Sequence, residues 1–463
     1  MQIIHKKDIP EILTVDIEKL SNLGYGVARL DGYVIFVSEA CPGDKLKIKI
    51  GKKNKNYAYA EIIDIIESSK DRVEPFCKMQ KACGACQLQH IDYNSQLKYK
   101  KQIVVDAMHS IFCSDIEVKD VIPSPIIKGY RHKIQYPISQ TKDSKRILAG
   151  YYKPGTHDLV NIKHCPIQPE YCDKIIDFIR LNAQDIGISA YDEKTKKGEL
   201  RHVVIRTSSF NNLSLVTIVV NSDRISKKIK HLSEKIYKNI DGISGVCVNL
   251  NNKKNNLILG EKTELICGIP YIEESLCDKI YKIASKTFFQ VNPVCADNIF
   301  RYVKNYINTN FEKPTVLDAY AGITAFGISL SDIASIVVSI EEEKSSVELA
   351  KQIVDENHIS NIELHQGDAG NFLSQEAMLG RQFHVTILDP PRKGCSINSL
   401  DYALKLTKNK IIYVSCNPAT LARDLKYLKE QGATVEYVQP FDMFPHTYHI
   451  ESVAIIDVNK IAG

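Results

Sequence analysis

The chain has no uninterrupted apolar stretch near the ~18–20 residues that a membrane-spanning helix needs, so such a helix is excluded. Its start, MQIIHKKDIPEI, shows no hydrophobic core followed by a small-residue cleavage site, and a cytoplasmic protein is expected. Nor is there a large surplus of one charge: 60 Lys plus Arg stand against 55 Asp plus Glu, a net +5. So mild a balance over 463 residues proves no polyanionic partner, and only local basic clusters can argue for nucleic acid. There is no internal repeat or low-complexity tract, and hydrophobic residues at 44% with charged residues at 25% exclude fibrous and wholly disordered classes.

What is present suggests about three domains, at roughly 100–200 residues each. Residues 1–70 carry short β-type runs (VDIEKL, YVIFV, KLKIKI, AEIIDII) separated by glycine turns, which predicts a small β-barrel. Its hairpin between Lys45 and Lys55 holds six lysines and no acid, suited either to phosphate contacts or to a solvated edge that resists strand pairing. Residues 71–285 read as an α+β domain with a cysteine-rich loop, a helix near 93–111 and strands such as RHVVIR. Between Lys128 and Arg146, six basic residues are interleaved with Tyr130 and Tyr136; this is either a single-stranded RNA surface with stacking faces or an ordinary exposed hairpin. In residues 286–463 apolar strands (TVLDA, SIVVSIE, HVTILDPP, KIIYVSC) alternate with helices near 345–357 and 420–431. That alternation predicts a doubly wound, Rossmann-like α/β sheet with ligands at its carboxyl ends.

Thirteen cysteines, an odd number spread along a long chain, point to thiols, ligands and catalysis rather than a disulfide framework. Cys77, Cys83 and Cys86 form C-x5-C-G-x-C, and Cys165 follows in a turn-like His-Cys-Pro. Four thiolates suit iron–sulfur or zinc. The x5 spacing is longer than in the usual zinc knuckles and differs from that of radical enzymes, which favours a 4Fe-4S cluster with a structural or RNA-placing role.

In the third domain an apolar strand ending at Asp318 runs into a glycine turn, Tyr320-Ala-Gly322, that lets a ligand approach the backbone. Glu341 ends the next strand 23 residues after Asp318, where a carboxylate can accept ribose hydroxyls, and Asp368 follows the third strand, placed to meet adenine. Each acid alone could be a cap or turn residue. Together they suggest an S-adenosylmethionine pocket. Asp389 ends a buried strand before Pro390-Pro391-Arg392, and Cys416 stands between a strand and a helix start, where nearby cations and the helix terminus should favour a thiolate nucleophile. Glu451, at the start of the last strand, is a candidate general base.

The motifs D-P-P-R, S-C-N-P-A-T-L-A-R-D and F-P-H-T-x-H-x-E, the cysteine pattern and the N-terminal barrel together resemble the RNA uracil-5-methyltransferases over essentially the whole chain. The barrel resembles a TRAM domain. The resemblance implies that Cys416 is the nucleophile and Glu451 the base, that Cys77, Cys83, Cys86 and Cys165 hold 4Fe-4S, and that Gln290, Tyr320, Gly322, Glu341, Asp368 and Asp389 line the cofactor and uracil pocket, with Asp389 facing the base. Ala325 departs from the asparagine common there. It also implies that residues 93–125 pack on the C-terminal domain. The expected function is methylation of uridine carbon 5 in RNA, 23S rRNA first and tRNA second, with no membrane or obligate protein partner evident. A non-catalytic iron–sulfur RNA-binding protein would leave Cys416 and Glu451 unexplained. An adenine amino methyltransferase would carry an aromatic residue where Arg392 stands.

Overall fold

A computed structural model describes residues 9–113 and 115–458. The N-terminal part is a six-stranded sheet in the order Ile12–Asp16, Lys45–Lys53, Tyr57–Glu67, Tyr33–Val37, Gly26–Leu30, Lys19–Leu20. Alternation along its strands turns Ile35, Leu46, Ile48 and Ala58 inward to a private core, because successive side chains of a strand face opposite ways. The same alternation puts the lysines of Lys45–Lys53 outward, where several are engaged within the chain: Lys45 pairs with Glu67, Lys49 with Glu11, and Lys53 donates to the Ile9 carbonyl.

The central sheet has seven strands, with Lys133–Gln140, Leu200–Thr207, Ser214–Val220 and Ile243–Leu250 adjacent in that order. Helices Glu170–Ile186 and Lys227–Asn239 cover one face, burying Ile134, Ile205, Ile218 and Ile236 in one core. Tyr130 and Tyr136 belong to the interior, 1% and 0% exposed, and their hydroxyls donate to the Pro445 carbonyl and Gln168. They are therefore not stacking faces for bases. Strand Lys133–Gln140 buries one face and leaves part of the other half-buried, and a buried face of this kind gives the same alternation as an exposed hairpin.

The C-terminal sheet runs, numbering its seven main strands along the chain, 3-2-1-4-5-7-6: Ile362–Gln366, Ile336–Glu341, Thr315–Ala319, Phe383–Leu388, Thr407–Ser415, Glu451–Asp457, Thr434–Phe441. All neighbours are parallel except the strand beginning at Glu451, which runs antiparallel to both of its own. The short strand Glu117–Val118 adds to its edge, parallel to Thr434–Phe441. Just before it, helix Tyr93–Ala107 and the π turn Met108–Phe112 bury Val104, Met108 and Phe112 with Leu425 and Leu428 of the C-terminal part.

Helix Tyr93–Ala107 is also fastened electrostatically. Lys100 and Asp442, both fully buried, meet at 2.5 Å, and the same ammonium donates to the Phe444 carbonyl at 3.0 Å. Breaking one side of a buried pair strands a charge, so Lys100→Met should destabilise the fold by about 3–5 kcal/mol. Lys100→Met combined with Asp442→Leu should regain most of that loss in a denaturant titration; a double variant no better than the single one contradicts the pairing.

Candidate active site

Every carboxyl end of the central parallel strands delivers one chemical group. Thr315–Ala319 ends in a turn where Tyr320, Gly322 and Thr324 all have positive φ (67°, 58° and 54°), a backbone shape that costs energy for the two non-glycine residues. The turn is held from beneath by Asp318, which accepts the Gly327 N–H at 3.2 Å, and from the side by Glu341, which accepts the Gly322 N–H at 2.8 Å. Burial pushes the Asp318 carboxyl up to about 7. Asp368 caps helix Ala369–Met378 by accepting the Asn371 N–H at 2.9 Å. Glu341 and Asp368 thus shape backbone and face the cleft at once.

Phe383–Leu388 delivers Asp389, and Thr407–Ser415 delivers Cys416, immediately followed by Asn417, which caps helix Pro418–Glu430. The rest of the S-C-N-P-A-T-L-A-R-D segment ties down the loop after Asp389. Asn417 and Thr420 donate to the Arg392 carbonyl, Arg423 donates to the Lys393 carbonyl at 2.9 Å, and Asp424 accepts the Cys395 N–H at 2.9 Å and the Tyr413 hydroxyl at 2.6 Å. Gly394, at φ 77°, is required here: a Cβ would lie 2.5 Å from both Arg423 and Asp424. With its carbonyl so occupied, Arg392 projects its guanidinium at the cleft.

All eight expected pocket residues, Gln290, Tyr320, Gly322, Glu341, Asp368, Asp389, Cys416 and Glu451, line this one cleft. Arg392, His449, Phe444 and the exposed Phe288 line it too. Sequence reasoning gave these four no role in the pocket, although each lies within or beside a segment it had singled out.

The electrostatics run against a preformed thiolate. Burial pushes Cys416 up to about 11, with Glu451 and Asp389 adding to the rise and Arg392 opposing it. The expectation that the helix start and nearby cations favour thiolate is therefore corrected: two carboxyls and desolvation outweigh one guanidinium. Burial and Asp389 raise Glu451 to about 8 against the pull of Arg392, and burial alone raises Asp389 to about 7. Neither carboxyl has a side-chain hydrogen-bond partner among the described residues. Such a site holds protons near neutrality and can pass them to or from a bound molecule.

The four cysteines of the central part line a second, smaller pocket with Tyr151 and Ile162. Gly84 turns the loop at φ 65°, where a Cβ would lie 2.2 Å from Pro154. Cys86 and Cys165 are buried and their thiols are pushed up to about 12 by desolvation. Among the described residues, no three His, Cys, Asp or Glu side chains gather closely enough to hold a metal ion, so the expected cluster is not shown.

The tRNA (Uracil-5-)-methyltransferase family profile matches residues 92–458, and that of the TRAM domain residues 8–63. The chain is 36% identical over 458 residues to an uncharacterised RNA methyltransferase of Halalkalibacterium halodurans, covering 99% of this chain and 98% of that one. A second uncharacterised RNA methyltransferase, of Clostridium acetobutylicum, is 36% identical over 443 residues, with 95% of each chain covered. Among solved structures, the Pyrococcus abyssi tRNA (uracil-54, C5)-methyltransferase in complex with S-adenosyl-L-homocysteine is similar with a TM-score of 0.76 at 27% identity, covering 96% of this chain and 100% of that one.

A carboxyl whose pKa is higher folded than unfolded stabilises fully below the unfolded value and loses that contribution as pH rises through the folded one. For Glu451 the window runs from its ordinary 4.5 to about 8. Glu451→Gln should therefore melt roughly 2–4 °C above the parent at pH 8 and close to it at pH 5. A difference that does not change with pH contradicts the buried, uncompensated carboxyl.

Proposed function

The chain belongs to the tRNA (uracil-5-)-methyltransferase family, and on that premise we propose that it methylates carbon 5 of a uridine in RNA through a covalent bond to Cys416. The observation that carries this is the convergence, from three separate strand ends, of a thiol, a sunken carboxyl and a buried carboxyl in the cleft that also holds the Gly322 turn and Glu341. The donor is S-adenosylmethionine, with Gln290, Tyr320, Glu341 and Asp368 around it.

Carbon 5 of uracil is a poor nucleophile until carbon 6 is attacked. The Cys416 thiol gives its proton up to solvent, its thiolate adds there beside the Arg392 cation, and the ring becomes an enolate. Asp389, raised to about 7, is protonated in a good fraction of molecules at neutral pH and can donate a hydrogen bond to the edge of the ring where that charge develops. Carbon 5 takes the methyl group and S-adenosylhomocysteine leaves; Glu451, in its ionised form, accepts the proton left on carbon 5, and the Cys416–carbon 6 bond breaks with the sulfur leaving as thiolate to release 5-methyluridine. A base in folded RNA must first leave its stack to reach this cleft.

For the substrate we propose 23S rRNA, supported by the combination of a TRAM-type domain with the four-cysteine pocket, which resembles the large-subunit enzymes. A tRNA substrate is the second reading, favoured by the similarity to the Pyrococcus abyssi tRNA enzyme. The cysteine pocket is proposed to hold 4Fe-4S through Cys77, Cys83, Cys86 and Cys165. Support comes from four thiols, a soft donor set, around one largely apolar recess.

Methyl transfer from labelled donor to 23S rRNA and tRNA transcripts tests the reaction: label on 23S rRNA alone is expected, label on tRNA alone assigns the second reading, and label on neither refutes the function. Glu451→Gln should lower kcat by about 10²–10⁴-fold and accumulate a denaturant-resistant protein–RNA adduct, which Cys416→Ala abolishes. Anaerobically purified protein should carry about four irons and as many sulfides per chain; stoichiometric zinc or no metal contradicts the cluster.

A further inference from the structure

Two cations of the central sheet are set directly opposite each other without an acid. Lys133 opens the strand Lys133–Gln140, and Arg206 is its register partner on Leu200–Thr207. Like charges in facing positions on neighbouring strands repel. Arg206 is 3% exposed, donates from Nη2 to the Thr287 carbonyl, and leaves its Nε without a partner. The ammonium of Lys133, half-buried beside it, has no hydrogen bond or ion pair among the described residues, while its carbonyl accepts from the Arg131 Nε at 3.4 Å.

The charges that act on Lys133 are Arg206 and Arg131, both positive. Burial first, and these two charges after it, push its ammonium down to about 7, so its charge is costly until an anion arrives. Arg131 differs: it packs over the Tyr151 ring at 5.6 Å, Tyr151 is the largest of the groups that hold its charge, and its Nε donates to the Lys133 carbonyl.

Position gives this pair a purpose. Residues 288–291 line the catalytic cleft, and the same stretch is pinned to the two strands by Arg206 at the Thr287 carbonyl and by the His132 N–H on the Val291 carbonyl at 2.7 Å. The cations therefore stand behind the cleft wall formed by Phe288, Phe289 and Gln290. We propose that Lys133 and Arg206 form a phosphate-binding site for the RNA backbone, holding the phosphate of a nucleotide that flanks the uridine in the cleft. A phosphate oxygen compensates the two facing positive charges together, through charge-assisted hydrogen bonds. The assignment rests on RNA being the substrate, and its test is read from binding rather than turnover.

Binding of 23S rRNA and tRNA transcripts is measured across a salt series, with S-adenosylhomocysteine in place of the donor, for the parent, Lys133→Met and Lys133→Arg. Lys133→Met should weaken binding of the substrate RNA about tenfold and reduce the slope of log affinity against log salt by about 0.7–0.9. It should melt at or above the parent's temperature, because a repulsion is gone, while Lys133→Arg keeps both affinity and slope. Unchanged affinity and slope in Lys133→Met overturn the site, as does a loss of affinity matched by a fall in melting temperature. A parent that binds neither transcript overturns both the site and the proposed function. A parent that binds RNA yet methylates none overturns the reaction alone, and the slopes still decide the phosphate site.

Discussion

Cys416, Asp389 and Glu451 share a recess in which burial disfavours every negative charge and Arg392 offsets it only in part. Charging one of the three raises the cost of charging the next, so protons stay in the empty cleft. A thiol that is mostly protonated until substrate arrives is protected from casual oxidation and alkylation, since the thiolate is the reactive form. Much of the surrounding structure can be understood as what holds this costly arrangement in place: the S-C-N-P-A-T-L-A-R-D segment spends most of its polar groups tying the loop after Asp389, not touching a substrate.

Glu451 requires support of a different kind, because it follows a loop rather than a parallel strand. That loop is gripped from several parts of the chain. Lys100 holds Asp442 and the Phe444 carbonyl, Gln96 bonds His446 at both ring and backbone, Tyr130 reaches the Pro445 carbonyl, and Asn292 reaches that of Met443. The Leu88 N–H, just beyond the cysteine loop, donates to the His446 carbonyl, and Gly24 of the N-terminal sheet lies against Tyr448. His446 itself is held at φ 66°. Contacts from all three parts of the chain position the carboxyl proposed as the base, so the C-terminal sheet is not an independent module.

The elements were largely legible in the sequence. Alternating apolar runs marked the strands that end at Asp318, Glu341, Asp389 and Cys416, because a parallel sheet buried on both faces writes itself as short hydrophobic segments between helices. The glycine turn at Gly322 and the proline pair after Asp389 marked where ligands approach. What the linear pattern concealed depends on distant neighbours. The protonated state of Cys416 comes from depth of burial first and then from Glu451, thirty-five residues later. Tyr130 and Tyr136 look like surface aromatics among lysines until the rest of the chain covers them. The facing of Lys133 and Arg206 exists only in the register of two strands.

The most direct measurement of the central claim uses 5-fluorouridine-substituted RNA with the anaerobically purified protein and S-adenosylmethionine, with any covalent adduct mapped by mass spectrometry. Fluorine on carbon 5 cannot leave as a proton, so the bond from sulfur to carbon 6 has no route to elimination. The account predicts a methylated adduct joining Cys416 to one nucleotide. An adduct at another cysteine, or methylated RNA released with no adduct, would contradict it.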